Sequence, residues 1–146
     1  MSEPKSNPFR VVLLILRGLA AVAAGEASMV ILITLVQETL FGGVSFTKSS
    51  AGVLLVSGAL TFLAAVLGGF VAGWIARGFP MLPALVIAAF IPVETTYLIV
   101  SGRTIDPVWF DVMAASSLVV GLLLGAYCHV VFRSGSGSRP GLCRNA

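Results

Sequence analysis

Four long stretches of the chain are almost uniformly apolar, and short polar segments separate them. They cover residues 11–36, 51–76, 82–101 and 108–132. The hydrocarbon core of a bilayer is about 30 Å thick, so a helix that rises about 1.5 Å per residue needs about 20 apolar residues to cross it. Each stretch meets that length, and a helix satisfies its own backbone hydrogen bonds in lipid. The pattern therefore predicts an all-α integral membrane protein, a bundle of four transmembrane helices.

Turn-forming residues join the predicted spans, and a polar tail ends the chain. Gly78 and Pro80 form a tight turn between the second and third spans, and Gly102 and Pro107 bracket a short loop between the third and fourth. Residues 133–146 are rich in Ser and Gly and have no apolar face, which predicts a flexible tail. We therefore divide the chain into a transmembrane domain over residues 1–132 and a cytoplasmic tail over residues 133–146.

Lys and Arg residues are distributed unequally between the two ends of the predicted bundle. The end that carries both termini and the second loop holds seven of them: Lys5, Arg10, Arg17, Arg77, Arg133, Arg139 and Arg144. Only Lys48 and Arg103 fall at the other end. Because cytoplasmic loops of membrane proteins carry an excess of Lys and Arg, we expect both termini to lie in the cytoplasm and the protein to reside in the cell (inner) membrane.

Composition agrees with lipid as the main solvent and narrows the function. Of 146 residues, 58% are hydrophobic and 10% are charged, whereas about a quarter of the residues of a soluble domain are charged. The formal net charge of +3 comes from basic residues that stand singly at the edges of apolar segments, so we expect no nucleic-acid partner.

Residues that could hold a metal or carry out catalysis do not form a recognisable set. Cys128 and Cys143 lack the spacing of a disulfide framework or a metal site, and His129 has no companion at ligand spacing. No HExxH, GxSxG or Walker motif occurs in the sequence. We therefore expect no metal, no cofactor and no enzymatic activity.

Small residues recur four apart on the second and fourth spans, which run in the same direction in the predicted topology. The second span carries Gly69 and Gly73, and the fourth carries Gly121 and Gly125. Helices in lipid associate through close packing of small residues. We expect these glycines to form a direct contact between the two spans; the alternative is that glycine is simply frequent in membrane helices.

Two acidic residues lie deep in predicted spans, Glu26 in the first and Glu94 in the third. At about 1.5 Å per residue, both sit roughly 18–23 Å from the cytoplasmic edge, so we expect them to share a layer. Hydroxyl side chains at comparable depth extend this layer across the other helices: Ser57, Thr61, Thr95, Ser116 and Ser117. The sequence therefore predicts one intramembrane polar site formed by these seven residues.

The acidic residues allow a functional and a structural interpretation. A charged side chain near the bilayer centre costs about 2.5–3.5 kcal/mol, so each should face the protein interior and find a partner. The pair could exchange protons or bind a cationic solute, or each carboxyl group could hydrogen-bond across a helix interface and stabilise packing. Arg17 lies shallower in the first span, and we expect its side chain to reach the cytoplasmic headgroups.

The stretch from Gly68 to Arg77, followed by Pro80, resembles a recurring feature of small, uncharacterised four-span bacterial membrane proteins, and that resemblance implies no activity. The size, the four spans and the membrane carboxyl at Glu26 also resemble the small multidrug resistance transporters, which work as dimers. The aromatic and lysine motifs of that family's later helices do not occur in this sequence. That resemblance therefore implies four spans and a dimer rather than a substrate.

These observations lead to two hypotheses of function. In the first, the chain is a non-enzymatic membrane protein that acts through helix packing as a subunit or scaffold, as a homodimer or with another membrane protein. In the second, it is a small proton-coupled or cation transporter that uses Glu26 and Glu94, with a small-molecule substrate that the sequence does not identify.

Overall fold

A computed structural model of the protein describes residues 8–76 and 78–136 and confirms the four-helix architecture. Helix α1 covers Pro8–Thr34 and continues into a π-helical segment, Leu35–Leu40. Helix α2 covers Ala51–Ile75, α3 covers Met81–Val100 and α4 covers Val108–Ser136. Among the described residues, four segments are long and apolar enough to cross a membrane: Val11–Leu40, Ala51–Ile75, Met81–Val100 and Val108–Ser134. The protein is therefore a small multi-pass membrane protein.

Two predicted features fall partly outside the described residues. The predicted tail begins at residue 133, but α4 continues to Ser136, and residues 137–146 lie beyond the part of the chain that the structure describes. Lys5, Arg77, Arg139 and Arg144, on which the predicted orientation partly depends, also lie outside it. The orientation with both termini in the cytoplasm stays a prediction.

Local sequence explains where the helices begin and end. Pro8 begins α1, as its fixed φ angle and missing N–H suit the first helical turn. The side chain of Ser50 caps α2 by accepting a hydrogen bond from the backbone N–H of Val53. Gly42 and Gly43 follow the π-helical segment with φ angles of 64° and 93°, a conformation that glycine adopts without the steric cost of a Cβ atom.

The helices are arranged around the bundle in the order α1, α2, α4, α3, and the tightest contact joins α2 to α4. A Cβ atom built on Gly69 would overlap the carbonyl group of Leu122, and one built on Gly125 would overlap the carbonyl group of Val66. The two backbones therefore touch without side chains between them. Gly121 lies beside Ala65 in the same contact, and Gly73 lies beside the ring of His129.

A second contact between small residues joins α1 to the rest of the bundle. A Cβ atom on Gly25 would lie 2.7 Å from Cβ of Ala72 on α2 and 3.1 Å from Cδ1 of Ile87 on α3. On α2, a Cβ atom on Gly68 would lie 2.9 Å from Cβ of Met29. Helix α1 thus packs mainly on α2 and meets α3 at the level of Ile87.

The α1–α2 loop and the α3–α4 loop are tied together at one end of the bundle. Oδ1 of Asp106 accepts hydrogen bonds from the Ser45 hydroxyl and from the Phe46 backbone N–H, both at 3.0 Å. The ring of Phe46 packs edge to face on Trp109, with ring centroids 5.0 Å apart. This polar and aromatic cluster joins the two helical hairpins.

We expect Gly69→Ala and Gly125→Ala to destabilise the protein, because either methyl group must push the α2 and α4 backbones apart. Overpacking of this kind costs about 1–3 kcal/mol. Gly58→Ala is the matched control on α2, because nothing lies within 4 Å of a Cβ atom built there. Thermal unfolding in detergent micelles measures the difference. Equal stability of all three variants would contradict the backbone contact.

Candidate functional site

Glu26 lies on the edge of α1 that borders α3. Arg17, nine residues earlier on α1, lies against α2, because its Nε donates a hydrogen bond to the carbonyl oxygen of Ile75. Nine residues make two and a half helical turns, so Glu26 points to the opposite side of α1 from Arg17. The neighbouring Gly25, between these two positions around the helix, lies against both Ala72 of α2 and Ile87 of α3. The half-buried Glu26 side chain therefore lies where α1 meets α3.

Glu94 lies on the face of α3 that borders α1. It follows Ile87 by seven residues, or two helical turns, and residues at this spacing share a face. Ile87 is buried against α1, but Glu94 is exposed. Helices α1 and α3 are thus in contact at the level of Ile87, whereas at the level of Glu94 they leave the side chain exposed. We call the part of the boundary between α1 and α3 that runs from Glu26 to Glu94 the acidic seam.

The two carboxyl groups lie in different layers of the bundle, although the sequence placed them in one. Gly25 is level with Ile87, and Glu94 lies two turns further along α3, which corresponds to about 10 Å at about 1.5 Å per residue. The sequence-based depth counted residues from the start of each predicted span. That count fails because α1 begins well before the level at which α3 begins, as the pairing of Gly25 with Ile87 shows.

Neither carboxyl group has a partner within the described part of the chain. No hydrogen bond or ion pair from residues 8–76 and 78–136 reaches Glu26 or Glu94. A carboxyl group that faces lipid without a partner is costly. The acidic seam therefore holds two polar groups whose hydrogen-bonding capacity the fold leaves unused.

The predicted hydroxyl residues do not join the acidic seam, because most of them bond to their own helix. Thr95 and Ser116 donate to the carbonyl groups of Ile91 and Val112, at 2.8 and 2.7 Å. Ser57 and Ser117 donate to the carbonyl groups three residues earlier. This local bonding is common for Ser and Thr in helices. The hydroxyl group of Thr61 is buried without a partner among the described residues.

Thr95 and Ser116 line a separate groove between α3 and α4. It has a volume of about 440 Å³, and its other walls include Pro92, Ile99 and Val119. Thr95 lies about 100° around α3 from Glu94, and Pro92 and Ile99 lie further round still. The seven residues predicted as one site thus fall into an acidic seam, a hydroxyl-lined groove and the remaining hydroxyl groups of α2 and α4, which lie apart from both.

His129 is buried in the α2–α4 contact, although the sequence indicated no role for it. Its side chain is only 8% exposed, and its Nε2 has no partner among the described residues. The ring packs edge to face on Phe70, with centroids 5.3 Å apart. The sequence does contain an indication of this burial: His129 follows Gly121 and Gly125 at the same spacing of four residues and so lies on the same face of α4. No group of three or more His, Cys, Asp or Glu residues that could hold a metal occurs among the described residues.

Arg17 also has a structural role that its predicted position did not reveal. Its Nε lies 2.7 Å from the carbonyl oxygen of Ile75, the last residue of α2. The last four carbonyl groups of a helix have no partner within that helix. Arg17 therefore caps the end of α2 from a different helix.

Comparison with models of protein families, with curated proteins and with solved structures finds no match to this chain. The chemistry of the acidic seam is therefore the basis for assigning a function.

We expect Glu94→Leu to stabilise the isolated protein in lipid bicelles, because it replaces a carboxyl group without a partner by a side chain that lipid solvates well. Insertion scales set the upper limit of the gain at about 3 kcal/mol. Glu38→Leu is the control, because Glu38 is exposed in the π-helical segment, at the end of the span. The measurement is the free energy of unfolding in bicelles. A loss of stability in Glu94→Leu would mean that Glu94 already has a stabilising partner within the chain.

Proposed function

We propose that the protein is a non-enzymatic membrane subunit or scaffold, and that a transmembrane helix of another copy or another protein packs on the acidic seam. The exposed carboxyl group of Glu94, in the membrane-spanning part of α3, is the observation that carries this proposal. Such a group costs about 2.5–3.5 kcal/mol in lipid. A partner that donates a hydrogen bond or carries a positive charge removes most of that cost.

The surroundings of Glu94 support a helix as the partner. Phe90 and Tyr97 flank it on α3 and are 59% and 60% exposed, so the carboxyl group is bordered by large apolar surface. Helix α1 packs on α2 more extensively than on α3, which leaves the outer part of the acidic seam accessible from the lipid. An apolar helix with one or two polar residues fits this combination, because lipid-embedded helices associate through packing and a few interhelical hydrogen bonds.

Photo-crosslinking in cells that express the protein tests this proposal. Benzoylphenylalanine replaces Phe90 or Tyr97 in separate variants, which keeps an aromatic ring at each position. We expect both variants to give a crosslinked product of one defined mass, and Glu94→Leu to reduce its yield because the partner loses its polar contact. The same probe at Leu67, on the lipid-facing side of α2, is the matched control and should give no such product.

The mass of the product separates a second copy of this chain from another protein. If positions 90 and 97 form crosslinks only to lipid, or if position 67 gives the same product, the acidic seam does not bind a partner helix and the proposal fails.

A second candidate function is proton-coupled or cation transport, with Glu26 and Glu94 as the residues that would bind the transported ion. The arrangement that favours it is the pair of carboxyl groups without partners in the described part of the chain, on residues offset by about 9 Å along one boundary between helices. Membrane-embedded acidic residues often mark ion or proton pathways. Transport through this seam calls for a dimer, because a four-helix chain scarcely encloses a path for a solute.

Flux measurements in proteoliposomes distinguish transport from packing. If the protein transports, Glu26→Gln and Glu94→Gln should each abolish pH-dependent uptake of cationic dyes, whereas Glu38→Gln at the end of the span should not. Equal flux in the parent protein, in both variants and in empty liposomes would exclude this function for those solutes and favour the packing role.

A further inference from the structure

A groove lies where α1 passes the turn between α2 and α3, at the opposite end of the bundle from the Asp106 cluster. It has a volume of about 350 Å³. Its wall is mostly apolar, with Leu13, Leu14 and Gly18 from α1 and Phe79 and Leu82 from the turn and α3. Among the described residues that line it, Arg17 is the one that carries a charge.

The Arg17 guanidinium group is held in place but retains most of its hydrogen-bonding capacity. Its Nε bonds to the carbonyl oxygen of Ile75 at 2.7 Å, which anchors the group at the end of α2. A guanidinium group has five N–H donors, so the four on the two Nη atoms remain available. No acidic side chain among the described residues forms an ion pair with Arg17, and the residue is exposed. The groove therefore carries a cation that no acidic side chain of the described residues neutralises.

The groove lies near the membrane edge on the side where α2 ends. Ile75 ends the second membrane-spanning segment, so the Arg17 guanidinium group lies where α2 leaves the hydrocarbon. Leu13 and Leu14 extend the apolar wall beyond this point and are 58% and 54% exposed. A ligand that fits must therefore offer an anionic group and a long apolar chain side by side.

We propose that this groove binds an anionic phospholipid, with its phosphate on the Nη atoms of Arg17 and an acyl chain against Leu14 and Leu82. The planar fork of a guanidinium group matches two oxygens of a phosphate. Basic pockets between helices at the edge of the membrane recognise anionic lipid headgroups in this way. This site is independent of the acidic seam, which lies on the other side of α1.

Two variants separate the charge from the shape of the groove. Arg17→Gln removes the charge, but its Nε2 is as many bonds from Cα as the Nε of arginine, so the bond to Ile75 can persist and α2 stays capped. Gly18→Leu fills the groove, and the fold tolerates it because nothing lies within 4 Å of a Cβ atom built on Gly18. The controls are Arg103→Gln in the α3–α4 loop and Gly58→Leu, which also has open space around its Cβ position.

Native mass spectrometry of the full chain, released from micelles that contain phosphatidylglycerol or phosphatidylcholine, measures the retained lipid. We expect the parent protein and both controls to retain one phosphatidylglycerol in preference to phosphatidylcholine. Arg17→Gln should weaken phosphatidylglycerol binding about tenfold and remove the preference, as loss of a charge-assisted hydrogen bond predicts. Gly18→Leu should weaken the binding of both lipids.

Three results would overturn the proposal. The first is equal retention of the two lipids by the parent protein. The second is an unchanged preference in Arg17→Gln together with unchanged retention in Gly18→Leu. The third is displacement of phosphatidylglycerol by inorganic phosphate at constant ionic strength, which would identify a site for a soluble anion rather than for a lipid. Gly18→Leu keeps the test decisive if Arg17→Gln does not fold.

Discussion

Direct contact between the backbones of α2 and α4 is the constraint on which the rest of this structure depends. Lipid tails are as apolar as leucine side chains, so burial of apolar surface does not drive helices together in a membrane. What remains is van der Waals packing, which is strongest where backbones approach closely. Gly69 and Gly125 allow that approach, and the remaining helices assemble around this pair.

This constraint also determines where polar groups can act. Because α2 and α4 are in backbone contact, no path for a solute runs between them, and His129 is enclosed in their contact. The boundary between α1 and α3 is looser and carries both membrane carboxyl groups. The chemistry available to this protein is therefore at the periphery of the bundle, where lipid, a partner helix or a solute can reach it.

Hydropathy alone predicted the four helices, because the thickness of the membrane sets the length of an apolar span. The spacing of Gly69, Gly73, Gly121 and Gly125 indicated which two helices approach closely. The relative height of Glu26 and Glu94 could not be predicted, since it depends on how far α1 extends past its neighbours. The hydrogen-bond partner of Arg17 could not be predicted from the sequence either, because the bond joins residues 58 positions apart in the chain. By contrast, the hydrogen bonds of Thr95 and Ser116 to their own helices could be predicted, because Ser and Thr in helices commonly donate to a carbonyl group one turn earlier.

Helix α1 is fastened near both ends. Arg17 ties it to the end of α2, and at the opposite end the loop that follows it is held by Asp106. Because α1 is attached at two levels, neither end can move away from the bundle on its own, and only the segment between the attachments can bend outward. Any widening between α1 and α3 would then be greatest between the two attachments, near the level of Glu94, where the contact between these helices already leaves a side chain exposed. The bundle would therefore open through bending of α1 and not through a hinged movement of one of its ends.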